Sequence, residues 1–245
     1  ATGPRTDADT AYPPTACSMA LVPRCAMPDA RALSMARTWL DVLVRIMADD
    51  ARRAAMVADL VHPKWLLMLV RPGLARDDVP LVLEFVGMLL STSPSLAQNW
   101  TRLGGFRVLE RTLPPHWDVP CVLPWMWTLL LGPHAPKSSL YHTFAHATTV
   151  AHPQALRVIV QCMAHGMMAC RTAPAKRRAS LPHIPAPPPG LTALEDSVRL
   201  LVVHSHNEDV RALLMLAPTL VAVLRATAPC FVDEPCGPRV CALCD

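Results

Sequence analysis

The chain has 245 residues, 52% of them hydrophobic and 17% charged, a length and balance that supply a sizeable core and exclude disorder over most of the sequence. Its 23 basic residues against 19 acidic ones leave a formal charge of +4, too small and too scattered for the electrostatic footprint of a nucleic-acid binder. Only Lys64, Lys137 and Lys176 among the basic residues are lysines; the arginine bias suits interfaces but is equally the mark of a base-rich genome.

The chain opens on Ala1 and closes on Asp245 just after a cysteine cluster, which reads as a piece of something longer. Residues 1–15 carry Arg5, Asp7 and Asp9 with no apolar run between them, unlike a secretory signal. Residues 1–28 are expected to be irregular. From Leu33 the apolar positions Leu33, Ala36, Leu40, Leu43 and Met47 recur at helical spacing, with Asp29 placed to cap the start. Asp49 and Asp50 can begin a second helix that runs to about Val61, and His62-Pro63 breaks the pattern before a short apolar helix over 64–70.

Arg71-Pro72-Gly73 stops that helix, because proline cannot continue it and disfavours helical geometry in the residue before. Asp77 and Asp78 are placed to cap a helix over 79–90, and Ser93-Pro94 reads as a cap followed by proline at the first helical position of a helix reaching about Leu103. Gly104-Gly105 supplies a turn, 106–113 another short helix, and Pro114-Pro115 its end. The apolar run 119–131 is about 13 residues long where a membrane span needs roughly 20, so it predicts a buried core helix. Helices over 138–150, 153–169, 192–203, 208–216 and 218–227 complete the series, with Thr192 and Glu195 at capping-box spacing.

No alternating strand pattern of useful length interrupts this order, so the fold class is all-α. The recurring unit of helix, Pro/Gly turn and helix predicts an armadillo- or HEAT-like α-solenoid, with a compact helical bundle as the alternative. The stack is expected over 29–170 and again over 191–229. Between them, residues 171–190 combine Lys176-Arg177-Arg178 with Pro182, Pro185 and 187–189, the composition of an exposed basic, proline-rich loop. Residues 230–245 form a cysteine-rich tail.

Five places carry residues with candidate chemistry. Cys230, Cys236, Cys241 and Cys244 could in principle surround a zinc ion, but only the last two stand at the familiar gap, and incidental tail cysteines are the plainer reading. Cys17, Cys25, Cys121, Cys162 and Cys170 lie among apolar residues and read as reduced core thiols. His142 and His146 would share a helix face yet lack an intervening glutamate and a third ligand, so they read as a polar stripe. His204 and His206, with Glu208 and Asp209 following, read as an inter-helix turn in which Asn207 caps the next helix. Ser180, two residues after Arg178, sits in the context favoured by basophilic kinases. No phosphate loop, dinucleotide fingerprint, nucleophile elbow or zinc-protease motif occurs, so no catalytic residue, cofactor or metal is assigned and no enzymatic activity is expected.

Two segments carry a family likeness. The first runs from His62-Pro63-Lys64-Trp65 through Leu103-Gly104-Gly105-Phe106-Arg107-Val108-Leu109 and Leu113-Pro114-Pro115-His116-Trp117-Asp118-Val119-Pro120 to 127–132. The second, 201–229, holds His204-Ser205-His206-Asn207, a leucine-rich helix and 220–227. Together they resemble the helical region upstream of the BEACH domain in the BEACH and WD-repeat scaffolds, particularly the autophagy-linked FYVE proteins. The resemblance implies an armadillo-like segment of a large cytoplasmic scaffold for membrane trafficking or selective autophagy. Its partners would be proteins, and its peripheral association with endosomal or autophagic membranes would reside in parts of the parent not present here. A stand-alone helical transport adaptor that binds acidic proteins is the alternative function.

Overall fold

The computed structural model describes residues 30–70, 73–172 and 189–216. The chain divides into two compact units, Ala1–Ala36 and Arg37–Asp245. Of the first, the described residues are the opening turns of helix α1. All regular structure among the described residues is helical: α1 (Ala30–Asp49), α2 (Ala51–Leu60), α3 (Pro63–Leu69), α4 (Val79–Thr92), α5 (Pro94–Arg102), α6 (Gly105–Thr112), α7 (Val122–Leu131), α8 (Leu140–Phe144), α9 (Ala155–Thr172), α10 (Pro189–His204) and α11 (Glu208–Leu214), with 3-10 turns at Arg76–Asp78 and Pro114–His116. The all-α expectation is thus met.

Boundaries follow local chemistry. The Asp50 carboxylate accepts from the Arg52 N–H at 2.8 Å and starts α2, and the His62 ring accepts from the Lys64 N–H ahead of Pro63. The Ser93 hydroxyl accepts from the Leu96 N–H, with Pro94 in the first turn where its missing donor costs nothing. Gly104 at φ +79° reverses the chain between α5 and α6, a conformation open to glycine at little cost.

Three expectations need correction. Asp77 and Asp78 make no side-chain cap for α4; they sit in a 3-10 turn, where the Asp77 carbonyl accepts from Arg37 at 3.3 Å and Asp78 lies 3.5 Å from the same guanidinium. The helix expected over 138–150 shrinks to the five residues of α8. Its first turn is held by the Ser139 hydroxyl, and the chain beyond it is recruited to close α7: the Ala151 N–H donates to the Leu130 carbonyl at 2.7 Å. Thr192 and Glu195 form no capping box, because α10 already begins at Pro189 and both residues lie inside it.

The core is built on α4, α7 and α9. Val82, Leu83, Val86 and Leu89 of α4, Leu123, Met126, Trp127 and Leu130 of α7, and Val158, Ile159 and Cys162 of α9 are buried in one apolar cluster. A helix apolar on most of its circumference must be covered from several directions. Accordingly α2 packs on α4, α4 on α7, and α7 on α8, α9 and α10, while α5 covers α4 and α6 covers α9. Each fully buried Leu, Val or Ile side chain contributes about 1.5–3 kcal/mol. No helix among the described residues is long and apolar enough by itself to cross a membrane.

Three helical glycines of this unit lie against indole rings. A Cβ added at Gly87, Gly105 or Gly166 would collide with Trp125, Trp100 or Trp117 respectively. Each glycine leaves room for a tryptophan against a helix backbone, at the roughly 1 kcal/mol helix penalty of glycine.

Candidate functional site

A concavity opens where α5 turns into α6. Arg102 ends α5, the Leu103-Gly104 turn reverses the chain, and Arg107 follows one turn into α6. The opening of α9 and the end of α11 close the other sides, giving a cleft of about 580 Å³. Buried Phe106 and Leu156 form its floor, with half-buried Leu213 beside them; Leu103, 43% exposed, and Leu216, 54% exposed, stand at its rim.

Charge in the cleft is one-sided. The Arg157 Nε donates to Glu110 Oε1 at 2.8 Å and ties α9 to α6. Arg102 and Arg107 are exposed, and no acidic group pairs with either among the described residues. Three arginines against one glutamate leave two positive charges beside an apolar floor. Among the described residues Glu110 is the one carboxylate lining the cleft and is already engaged; the Thr101 hydroxyl donates to the Ala97 carbonyl. The arrangement presents unpaired positive charge beside apolar surface.

The histidines singled out from the sequence are dispersed. His142 lies on α8 and is exposed, its ring edge-on to Tyr141. His146 falls beyond the end of α8, so the shared helix face expected for the pair does not form. His204 is the last residue of α10 and 3% exposed, its Nε2 within 3.0 Å of the Phe144 carbonyl, whereas His206 is exposed in the following turn. Asn207 caps α11 as expected, its Oδ1 accepting from the Asp209 N–H at 2.9 Å. Among the described residues no three His, Cys, Asp or Glu side chains are grouped to hold a metal ion.

Cys121, Cys162 and Cys170 are free thiols. Burial pushes the Cys121 thiol up to about 11, with a small opposing hydrogen bond to its backbone, and pushes Cys162 and Cys170 up as well. None of the three is poised as a thiolate. Cys17, Cys25, Ser180, the Lys176-Arg177-Arg178 cluster, Cys230, Cys236, Cys241, Cys244 and the helix expected over 218–227 lie outside the described residues.

Sequence reasoning missed a buried polar knot joining α7, α8 and α10. The Trp127 Nε1–H donates to the Ser197 hydroxyl at 2.9 Å, which donates onward to the Ala193 carbonyl at 2.7 Å. Asp196, 5% exposed, accepts from the Tyr141 N–H at 3.2 Å at the start of α8. Ser197 and His204 are seven apart, two turns of one helix face, which was the available signal. The cleft arginines had a signal too: Arg102 and Arg107 bracket the Leu103-Gly104-Gly105-Phe106 turn.

No protein-family model, curated protein or solved structure matches the chain.

Proposed function

We propose that the chain is a non-enzymatic, armadillo-like scaffold segment that acts as a spacer and a protein-binding surface within a large BEACH and WD-repeat type protein of membrane trafficking or selective autophagy. The observation that supports the reading is the order of packing among the helices, α2 on α4, α4 on α7, α7 on α9 and α10, which suits a stacked array. Large apolar side chains left in water support the binding role: Trp39 of α1 is 65% exposed and Trp65 of α3 is 67% exposed. Tryptophan is enriched at protein interfaces, because it couples a large apolar body to one polar N–H. The likeness of 62–132 and 201–229 to the helical region upstream of BEACH domains supports the family setting.

The parent open reading frame tests this reading. BEACH and WD-repeat sequence downstream of Cys244 is the expected outcome. A stop codon shortly after it, in full-length transcripts, would overturn the scaffold reading in favour of the stand-alone adaptor.

A further inference from the structure

We infer that the cleft between α5, α6, α9 and α11 is a docking groove for a linear acidic segment of a partner protein, one carrying aspartates or glutamates next to a bulky aliphatic residue. The inference rests on the protein-binding role proposed above and names the partner chemistry.

Three features of the cleft select this occupant. Arg102 and Arg107, exposed and without acidic partners among the described residues, offer planar guanidinium forks that bind carboxylates with two parallel hydrogen bonds. Arg157 is held by Glu110, which fixes one wall and leaves the two other arginines to set the charge preference. The cleft is also lined by Phe106, Leu156 and Leu213, with exposed apolar surface on Leu103 and Leu216. A small anion would satisfy the arginines and leave that surface in water; an acidic peptide with a central leucine covers both.

The same features disfavour other occupants. Nucleic-acid backbones are held by many phosphate contacts, and a cleft with two unbalanced charges on a chain of net +4 supplies too few. Bases stack on exposed aromatic faces, and the one aromatic ring lining the cleft among the described residues, Phe106, is 5% exposed. A volume of about 580 Å³ falls within the range of sites that enclose small ligands or a few anchoring side chains.

The test uses the full 245-residue chain and fluorescent peptides followed by anisotropy. The probe is a dodecapeptide with a Leu-Leu centre flanked by glutamates and aspartates; controls replace the acids with lysines, or the leucines with serines, and a poly-dT oligonucleotide of matching length is run beside them. The acidic leucine peptide is expected to bind at least tenfold more tightly than each control and to weaken as salt rises. Arg102→Glu with Arg107→Glu is expected to reduce binding at least tenfold, and Leu216→Asp severalfold. Arg45→Glu, on α1 and outside the cleft, should leave binding within twofold. Melting by circular dichroism checks that each variant folds, and Arg102→Gln with Arg107→Gln serves if the charge reversal does not. Equal binding of the lysine peptide or the oligonucleotide, indifference to both arginine double variants, or no binding at millimolar peptide would overturn the inference. A failed peptide experiment alongside BEACH sequence downstream removes the groove and leaves the scaffold standing. Tight binding alongside an early stop codon does the reverse.

Discussion

At the scale of single residues, stability rests on contacts that tolerate little change. Gly105 lies against the ring of Trp100, a fully buried side chain whose Nε1 has no hydrogen-bond partner. Alanine at a helical position ordinarily adds up to about 1 kcal/mol of stability over glycine, but here the added methyl meets the indole, and overpacking costs typically ~1–3 kcal/mol. Gly105→Ala is therefore expected to lower the urea midpoint, whereas the open helix-propensity argument alone would raise it. His204 gives a pH-dependent counterpart. Burial lowers its folded-state pKa, with the Phe144 carbonyl opposing, and burial likewise lowers His116 and His152. Above the ordinary value of about 6.5 both folded and unfolded chains hold these rings neutral. As pH falls below it, the unfolded chain takes up protons that the folded chain refuses, so stability drops until the lowered folded values are passed. His204→Gln keeps a donor for the Phe144 carbonyl without the titration. Its melting temperature between pH 7.5 and 5 is expected to fall less steeply than that of the unaltered chain; an identical slope would refute the role given to His204.

At the scale of elements, caps divide the helices into those that announce themselves and those that depend on neighbours. Ser93 is buried and its hydroxyl satisfies the Leu96 N–H at the start of α5, so Ser93→Ala is expected to cost about 1 kcal/mol in chemical denaturation. Asp78 precedes α4 without a cap bond and its pairing with Arg37 is partly exposed, so Asp78→Ala is expected to change stability by a few tenths of a kcal/mol at most. Denaturation midpoints of the two variants side by side measure the contrast. The same division explains what could be read beforehand. Asp50, His62-Pro63, Ser93-Pro94 and Gly104 act within a few residues of themselves, and the elements they bound match expectation closely. The stretch 138–150 has helical composition, yet the chain leaves the helix after Phe144 and Ala151, just beyond the stretch, closes α7 through the Leu130 carbonyl, a tertiary demand that local spacing does not register. Thr192 and Glu195 have capping-box spacing by coincidence inside α10. The candidate groove was the least legible part: its residues come from α5, α6, α9 and α11, and only the turn bracketed by Arg102 and Arg107 is contiguous.

At the scale of the whole molecule, the open question is whether the helices form a stack of layers or one cooperative bundle. The distinction is energetic. In a stack, each layer is stabilised by itself and its immediate neighbours, so the least-covered layers open alone at low cost and protection rises toward the best-covered ones. In a bundle with one core, local openings of whole helices expose most of the shared apolar surface and approach the cost of global unfolding. The packing order makes the stack's prediction specific. α7 is covered by α4, α8, α9 and α10 and contributes Trp127, Met126 and Leu130 at no exposure, while α1 to α3 leave Trp39, Leu60 and Trp65 largely in water. Amide hydrogen exchange read by mass spectrometry is therefore expected to be slowest in α4, α7 and α9, faster by orders of magnitude in α1, α2 and α3, and intermediate in α10. Sub-denaturing urea should accelerate the slow group strongly and the fast group little, because global opening exposes far more surface than the detachment of one layer. Equal protection across α1 to α10, with the same urea dependence throughout, would identify a single cooperative bundle and remove the stacked reading on which the proposed spacer role depends.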